Sequence, residues 1–341
     1  MEARHLGRQA VPTPRAMGRA LVALLISAVL LAGCGGDGDG GDGQGLRPST
    51  EEPVRVRVGE TAGVPAAFME FGVRQGFFEK AGLDVEVVPV QGAAPIVTGV
   101  VSGDYDLGGS DVQTFAQGVS RGLPLLMMAP GTSVAEDPKS DFSSIMVADG
   151  SPIREPEDLR GKTIAVNTLA NITQVTTAGA LAELGLDPEA VRYTEVPFPD
   201  MVAAVKGGKV DAAFVIEPFR TIGLSSGLRG LFPPFSTFQP GLQIGSIVTT
   251  REYAEQNPRV IRAFQEAHER TARFIAEDPE RFRRALPDVA EIEPKLAERV
   301  NLPVWKGRVD PASVERVAEA MERYGFVEER PNVSEHIADG A

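Results

Sequence analysis

The stretch Gly208-Lys209-Val210-Asp211-Ala212-Ala213-Phe214-Val215-Ile216-Glu217-Pro218-Phe219 reads as a helix end, a two-residue turn and a strand. Gly208 supplies the left-handed residue that closes a helix, and Asp211 opens the strand. The same order stands earlier, in Gly103-Asp104-Tyr105-Asp106-Leu107. One such phrase is ordinary grammar for a helix-to-strand loop. Two of them at matching places predict two like-built lobes.

The flanking sequence supports this. Ahead of the first phrase, strands are expected at 54–58 and 84–88 and helices at 65–80 and 94–102. A strand at 105–108, a helix at 112–121 and a strand at 125–129 follow. A polar stretch, 131–142, interrupts the pattern before a new strand at 144–148. The alternation then restarts with a helical turn at 155–159, a strand at 163–166 and a helix at 172–184. A strand at 192–196, a helix at 200–207 and strands at 211–216 and 242–249 complete it. From Arg251 to Tyr324 the chain is helical, charged and studded with Pro. Strand–helix–strand alternation of this kind makes mostly parallel sheets flanked by helices, an α/β fold.

At 341 residues and 43% hydrophobic content the chain can fill two packed cores. Lys and Arg number 34 against 47 Asp and Glu, a net charge of -13. The first 33 residues hold four Arg and one Glu, which leaves 30 basic against 46 acidic residues beyond them. That balance argues against nucleic acid, whose affinity rests on cationic side chains neutralising phosphates. One Cys and three His exclude an internal disulfide, a CxxC zinc site and a Cys–His dyad. With one Trp and four Tyr, a broad aromatic platform is not expected. Neither HExxH nor a P-loop occurs, and Gly59, Gly63 and Gly72 do not make GxGxxG. His268 falls in the charged run 262–270 and reads as a solvated surface residue. No catalytic residue, cofactor or metal is expected.

Arg4, Arg8, Arg15 and Arg19 precede the apolar run Ala20 to Leu31. Twelve residues reach only ~18 Å as a helix, short of a ~30 Å hydrocarbon core, so the segment reads as a secretory signal. Leu31-Ala32-Gly33-Cys34 resembles the lipobox of bacterial lipoproteins, which implies cleavage before Cys34 and a lipid on its thiol. Gly35 to Gly45 holds seven Gly and three Asp and reads as a flexible tether. A calcium loop does not fit, since its fifth position would be Gly41 and its twelfth Pro48. Two or three acyl chains would hold the protein stably at a membrane.

Four stretches carry a wider resemblance: Gly76 to Val85, Gly103 to Ser110, Pro156 to Ala165, and Gly208 to Phe219. In order and spacing they resemble the extracytoplasmic substrate-binding proteins of ABC importers, in the branch that includes nitrate, sulfonate, taurine and thiamine-pyrimidine receptors. The resemblance implies a two-lobed, type II periplasmic-binding-protein fold with the ligand between the lobes and a hinge of two crossing segments, here near 144–148 and 245–249. The resulting plan is a signal peptide at 1–33, a tether at 34–52, a first lobe at 53–144, a second at 145–246, and a return to the first over 247–341. It also implies a monomeric, membrane-tethered receptor on the outer face of a bacterial cell membrane that serves a permease and ATPase, and not an enzyme. Enzymes of the same fold family carry a Cys-rich motif, whereas Cys34 belongs to the lipobox.

In parallel sheets, ligands bind beyond the carboxyl ends of strands. That rule selects four loops. Thr61 and Gly63 lie in the first, Gln91 and Gly92 in the second, Ser110 and Asp111 in the third, and Asn167, Thr168 and Asn171 in the fourth. Each ends at a helix N-terminus, whose free N–H groups favour an anionic group. Asp111 and Asn171 also suit plain helix capping. Glu217 reads either as a helix first-turn acid or as a cleft carboxylate that accepts from an amine or ring N–H. The helix ends invite an anion while Asp111 and Glu217 repel one, so the ligand's charge stays open. No Arg or Lys lies in the four loops, which points away from nitrate or sulfate and towards a larger, partly apolar solute. Phe68, Phe71, Phe214 and Phe219 could wall the cleft or pack the core.

Overall fold

The computed structural model describes residues 45–341; the expected signal segment and Cys34 lie outside the described residues. The first sheet uses β1 (Val54–Thr61), β2 (Leu83–Val90), β3 (Leu107–Asp111) and β4 (Leu125–Pro130). A short ribbon pairs β5 (Thr132–Ser133) with β12 (Val304–Trp305). The second sheet uses β6 (Ser143–Ala148), β7 (Thr163–Val166), β8 (Arg192–Glu195), β9 (Ala212–Ile216) and β10 (Leu228–Phe232). Finally β11 (Gly245–Thr250) returns to the first sheet.

Strand order is β2-β1-β3-β11-β4 in one sheet and β10-β6-β9-β7-β8 in the other. In the first, β1 runs parallel to β2 and β3, and only β11 is reversed. In the second, β7 runs parallel to β8 and β9, and only β6 is reversed. Each reversed strand is the one entered directly from the other sheet. The α/β, two-lobed, mostly parallel architecture is therefore as expected.

The duplicated phrase folds alike in both lobes. Gly103 and Gly208 adopt positive φ, 82° and 66°, and end their helices. The next N–H groups fold back, Asp104 to Gly99 O at 2.8 Å and Lys209 to Ala204 O at 3.0 Å. Asp106 Oδ2 then accepts from the N–H of Arg57, and Asp211 Oδ2 from that of Thr163, both at 2.8 Å. Each donor lies on the parallel strand alongside. The Asp thus fixes strand register, a role beyond opening the strand.

The crossing segments differ in place from the expectation. Both 144–148 and 245–249 lie inside the reversed strands, and the chain changes sheets just before them, over 134–142 and 239–244. There the two passes pair with each other: Gly131 N–H with Gly245 O at 2.9 Å, Ile244 with Thr132 O at 2.9 Å, and Val134 with Leu242 O at 2.8 Å. A Cβ on Gly245 would come within 2.6 Å of the Thr132 nitrogen, so this approach requires glycine. The buried Gln243 pins the junction, donating to Gly245 O at 2.9 Å and accepting from the Asp310 N–H at 2.8 Å.

Two elements depart from the sequence reading. The helix expected over 65–80 is split into Val64–Arg74 and Phe77–Lys80 by Gly76, whose φ is 67°. Strand β10 was not foreseen; Gly230 breaks its apolar run, and its register shifts there. Within the described part of the expected tether, the Leu46 N–H donates to Asn257 Oδ1 at 3.2 Å.

The helix Pro258–Glu277 covers the first sheet with Val260, Ile261, Phe264, Ala267, His268, Thr271, Ala272 and Ile275, a 3.6-residue stripe. It packs on the helices Val64–Arg74 and Phe77–Lys80, so this part of the C-terminal region joins the first lobe. The helix Pro311–Arg323 touches helices of both lobes, Val112–Ser120 and Ile172–Glu183.

Candidate functional site

A cavity of about 940 Å³, its open mouth included, lies between the two sheets at the carboxyl ends of β1, β3, β7 and β9. The first lobe contributes Glu60, Thr61, Phe68, Ser110, Asp111, His268 and Trp305, and the second Asn167, Asn171, Thr173, Phe198, Glu217 and Phe235. The four expected loops do end at helices, which begin at Val64, Ala93, Val112 and Ile172.

Of the residues selected from sequence, Thr61, Gly92, Ser110, Asp111, Asn167, Asn171 and Glu217 line this cavity together. Gly63, Gln91 and Thr168 stand outside its lining. Gly63, at φ 100°, instead opens the helix Val64–Arg74 and accepts the Ala67 N–H at 3.0 Å.

Asp111 and Asn171 both cap. Asp111 accepts from the Thr114 N–H and from its hydroxyl, each at 2.8 Å. Burial raises the Asp111 carboxyl above its usual range, against the pull of these bonds. Asn171 Oδ1 accepts from the Thr173 N–H at 3.1 Å and its Nδ2 donates to Asn167 Oδ1 at 2.9 Å. The Thr173 hydroxyl lies 2.9 Å from Asn167 Oδ1 and 2.7 Å from Asn171 Oδ1. This polar cluster fixes the second-lobe wall.

Glu217 is buried and heavily engaged. Its carboxylate accepts from Arg220 Nη1 at 3.2 Å, from the Thr221 N–H at 3.1 Å and hydroxyl at 3.0 Å, and from the Asn301 N–H at 3.1 Å. Asn301 follows segments packed in the first-lobe core, so Glu217 ties the second lobe to the first.

Three contributors were missed. His268 is 1% exposed, not a surface residue, and both ring nitrogens lack a hydrogen-bond partner. Burial lowers it to about 4, so it is neutral at pH 7. The 3.6-residue stripe through Phe264 and Thr271 is the signal that would have placed it inside. Phe68 stands between His268, 4.9 Å away, and the single Trp, Trp305, stacked at 5.0 Å and 15°. An aromatic wall thus exists where composition suggested none. Of the four candidate Phe, Phe68 lines the cavity, Phe71 and Phe214 are fully buried in the cores, and Phe219 stacks on Phe198 at 6.4 Å.

Glu60 is the third. It is 5% exposed and receives one hydrogen bond, from the Thr61 N–H at 2.8 Å. Desolvation pushes its carboxyl up to about 8. A Cβ on Gly109 would overlap the Glu60 carboxylate, so the glycine on the neighbouring strand makes its seat. None of the described lining residues is Lys or Arg.

A family model described as NMT1/THI5 like matches residues 67–282. The chain belongs to the NMT1/THI5-like family. Within that family's reach, a curated relative is the taurine-binding periplasmic protein of Escherichia coli (strain K12), 26% identical over 189 residues, 55% of this chain and 56% of that protein. The chain thus spans about half the length of the curated relative it matches. Among solved structures, the alkanesulfonate-binding protein SsuA from Xanthomonas axonopodis pv. citri, bound to MOPS, superposes with a TM-score of 0.70 at 18% identity, covering 84% of this chain and 99% of that one. The ligand-binding component of an ABC-type import system from Staphylococcus aureus, with zinc bound, gives 0.72 at 13%, covering 84% and 96%. At these identities the superpositions establish the NMT1/THI5-like chain's fold: that of two-lobed periplasmic binding proteins.

Proposed function

We propose that this NMT1/THI5-like protein is an extracytoplasmic solute receptor that captures a small organic molecule between its lobes and delivers it to an ABC permease and ATPase. The observation that carries the reading is the cavity itself, lined from both lobes at the strand ends where an α/β sheet binds ligands. A solute there touches both walls, so its binding energy favours the closed arrangement, which the transporter then recognises. The receptor works as a monomer, binds without turnover, and is held at the outer face of a bacterial membrane by lipid on Cys34. Membership of the family and the periplasmic binding protein it resembles support this reading.

The test is a thermal-shift screen of the purified protein against sulfonates, aromatic acids, pyrimidines and polyamines. Ligand binding stabilises by RT ln(1+[L]/Kd), so one class should raise the melting temperature in a dose-dependent way. Chemical conversion of the stabilising compound would overturn the receptor reading. For the anchor, Cys34→Ser should leave unprocessed precursor or release protein to the medium. Processing and membrane retention equal to wild type would rule the lipid out.

A further inference from the structure

The cavity is charged on one side only. Its described lining holds three carboxyl groups, Glu60, Asp111 and Glu217, and no Lys or Arg. Two of the three are already engaged. Glu217 is paired with Arg220 at 3.2 Å and accepts two backbone N–H groups, and Asp111 is committed to the N–H and hydroxyl of Thr114. Glu60 has neither a cation nor a helix donor; the Thr61 N–H is its one hydrogen-bond donor among the described residues. Opening on the same cavity is His268, 1% exposed, with Nδ1 and Nε2 both unpartnered. Buried polar groups are nearly always hydrogen-bonded, so a histidine with two orphan nitrogens on a cavity lined from both lobes calls for a partner from outside the chain.

We propose that the solute is a nitrogen cation carried on an apolar or aromatic body, with Glu60 as its charge partner and His268 as a second hydrogen-bond partner. The inference rests on the receptor reading and names the solute class for that site. A carboxyl buried without compensation is costly to ionise, and a bound cation restores that cost by supplying the missing opposite charge. A bare sulfonate or carboxylate would meet the reverse situation, desolvated beside three acids with no guanidinium or ammonium to receive it. The body of the solute is met by the Phe68–Trp305 stack, whose ring faces also favour a cation. His268 is neutral, so one ring nitrogen accepts and the other donates, which suits a solute with an N–H group beside its charge.

The test is a matched panel on the purified full chain: phenethylamine, benzamidine and phenyltrimethylammonium as cations, 2-phenylethanol as neutral isostere, and benzenesulfonate and 2-phenylethanesulfonate as sulfonates. Melting temperature and calorimetric affinity are measured for wild type, Glu60→Gln and His268→Phe. At least one cation should bind, at least tenfold tighter than the alcohol or either sulfonate. Glu60→Gln should weaken that cation roughly 10- to 150-fold, the range for a hydrogen bond to a charged group, without lowering the melting temperature. His268→Phe keeps the ring packing and should weaken benzamidine or phenethylamine more than phenyltrimethylammonium, which has no N–H. Tighter binding of a sulfonate, unaffected by Glu60→Gln, would overturn the inference and leave the receptor reading standing. So would failure of all three cations while another class in the wider screen binds. Failure of every compound in both panels would overturn both.

Discussion

At the scale of single residues, the two cleft glutamates show how environment divides one side-chain type into two roles. Glu217 accepts from Arg220, Thr221 and Asn301, so its charge is compensated and its work is to join segments. Glu60 has one donor and is pushed up to about 8. The sign of the consequence follows from proton counting. Between its ordinary value of 4.5 and about 8 the folded protein holds a proton on Glu60 that the unfolded chain has released, so stability falls as pH rises. His268 acts in the opposite direction, but only between about 4 and 6.5, where the unfolded chain binds the extra proton. The interval from 6.5 to 8 therefore isolates Glu60 from His268. There the wild type should lose on the order of 1.5–2 kcal/mol, at 1.36 kcal/mol per unit, and Glu60→Gln should remove that slope. Parallel curves for the two proteins in urea melts across this range would contradict the assignment.

Elements carry the duplication. Asp106 and Asp211 each accept a backbone N–H of the neighbouring parallel strand at 2.8 Å, in separate sheets. Substituting either by Ala should cost about 1–2 kcal/mol, since a backbone donor loses a charged acceptor at a half-buried strand start. The double variant should lose the sum to within about 0.5 kcal/mol, because the sites share no partner. Chemical denaturation of the four proteins measures it, and strong non-additivity would show that the lobes are not independently registered. This phrase was legible in the sequence because Gly and Asp have local reasons to stand where they do. The strand over Leu228–Phe232 was not, since Gly230 and the bulge beside it hide its pattern and only pairing with β6 makes it a strand. The site divides the same way. Residues at strand ends, Glu60 included, fall under a topological rule, whereas His268 and Trp305 reach the cavity through packing between distant segments. For His268 the helical stripe was readable, and the surrounding charges, which line the opposite face, obscured it.

For the whole molecule, the lobes meet through apolar and polar groups, one buried cluster joining Val112, Phe115 and Leu125 of the first to Val175, Leu181 and Phe214 of the second. Besides the paired crossing segments, Asn301 reaches Glu217 at 3.1 Å and Asp141 O at 2.9 Å, Arg299 reaches Ser225 Oγ at 3.1 Å, and Arg316 pairs with Glu183 at 2.9 Å. Of these, the exposed Arg316–Glu183 pair contributes only ~0–1 kcal/mol. A solute that fills the apolar and polar walls at once holds the two lobes together. The central claim is that binding and closure are one event. Small-angle X-ray scattering tests it most directly, on the purified chain with and without a saturating amount of whichever compound stabilises it most. The account predicts a smaller radius of gyration with the compound bound. Identical scattering curves at saturation would contradict it.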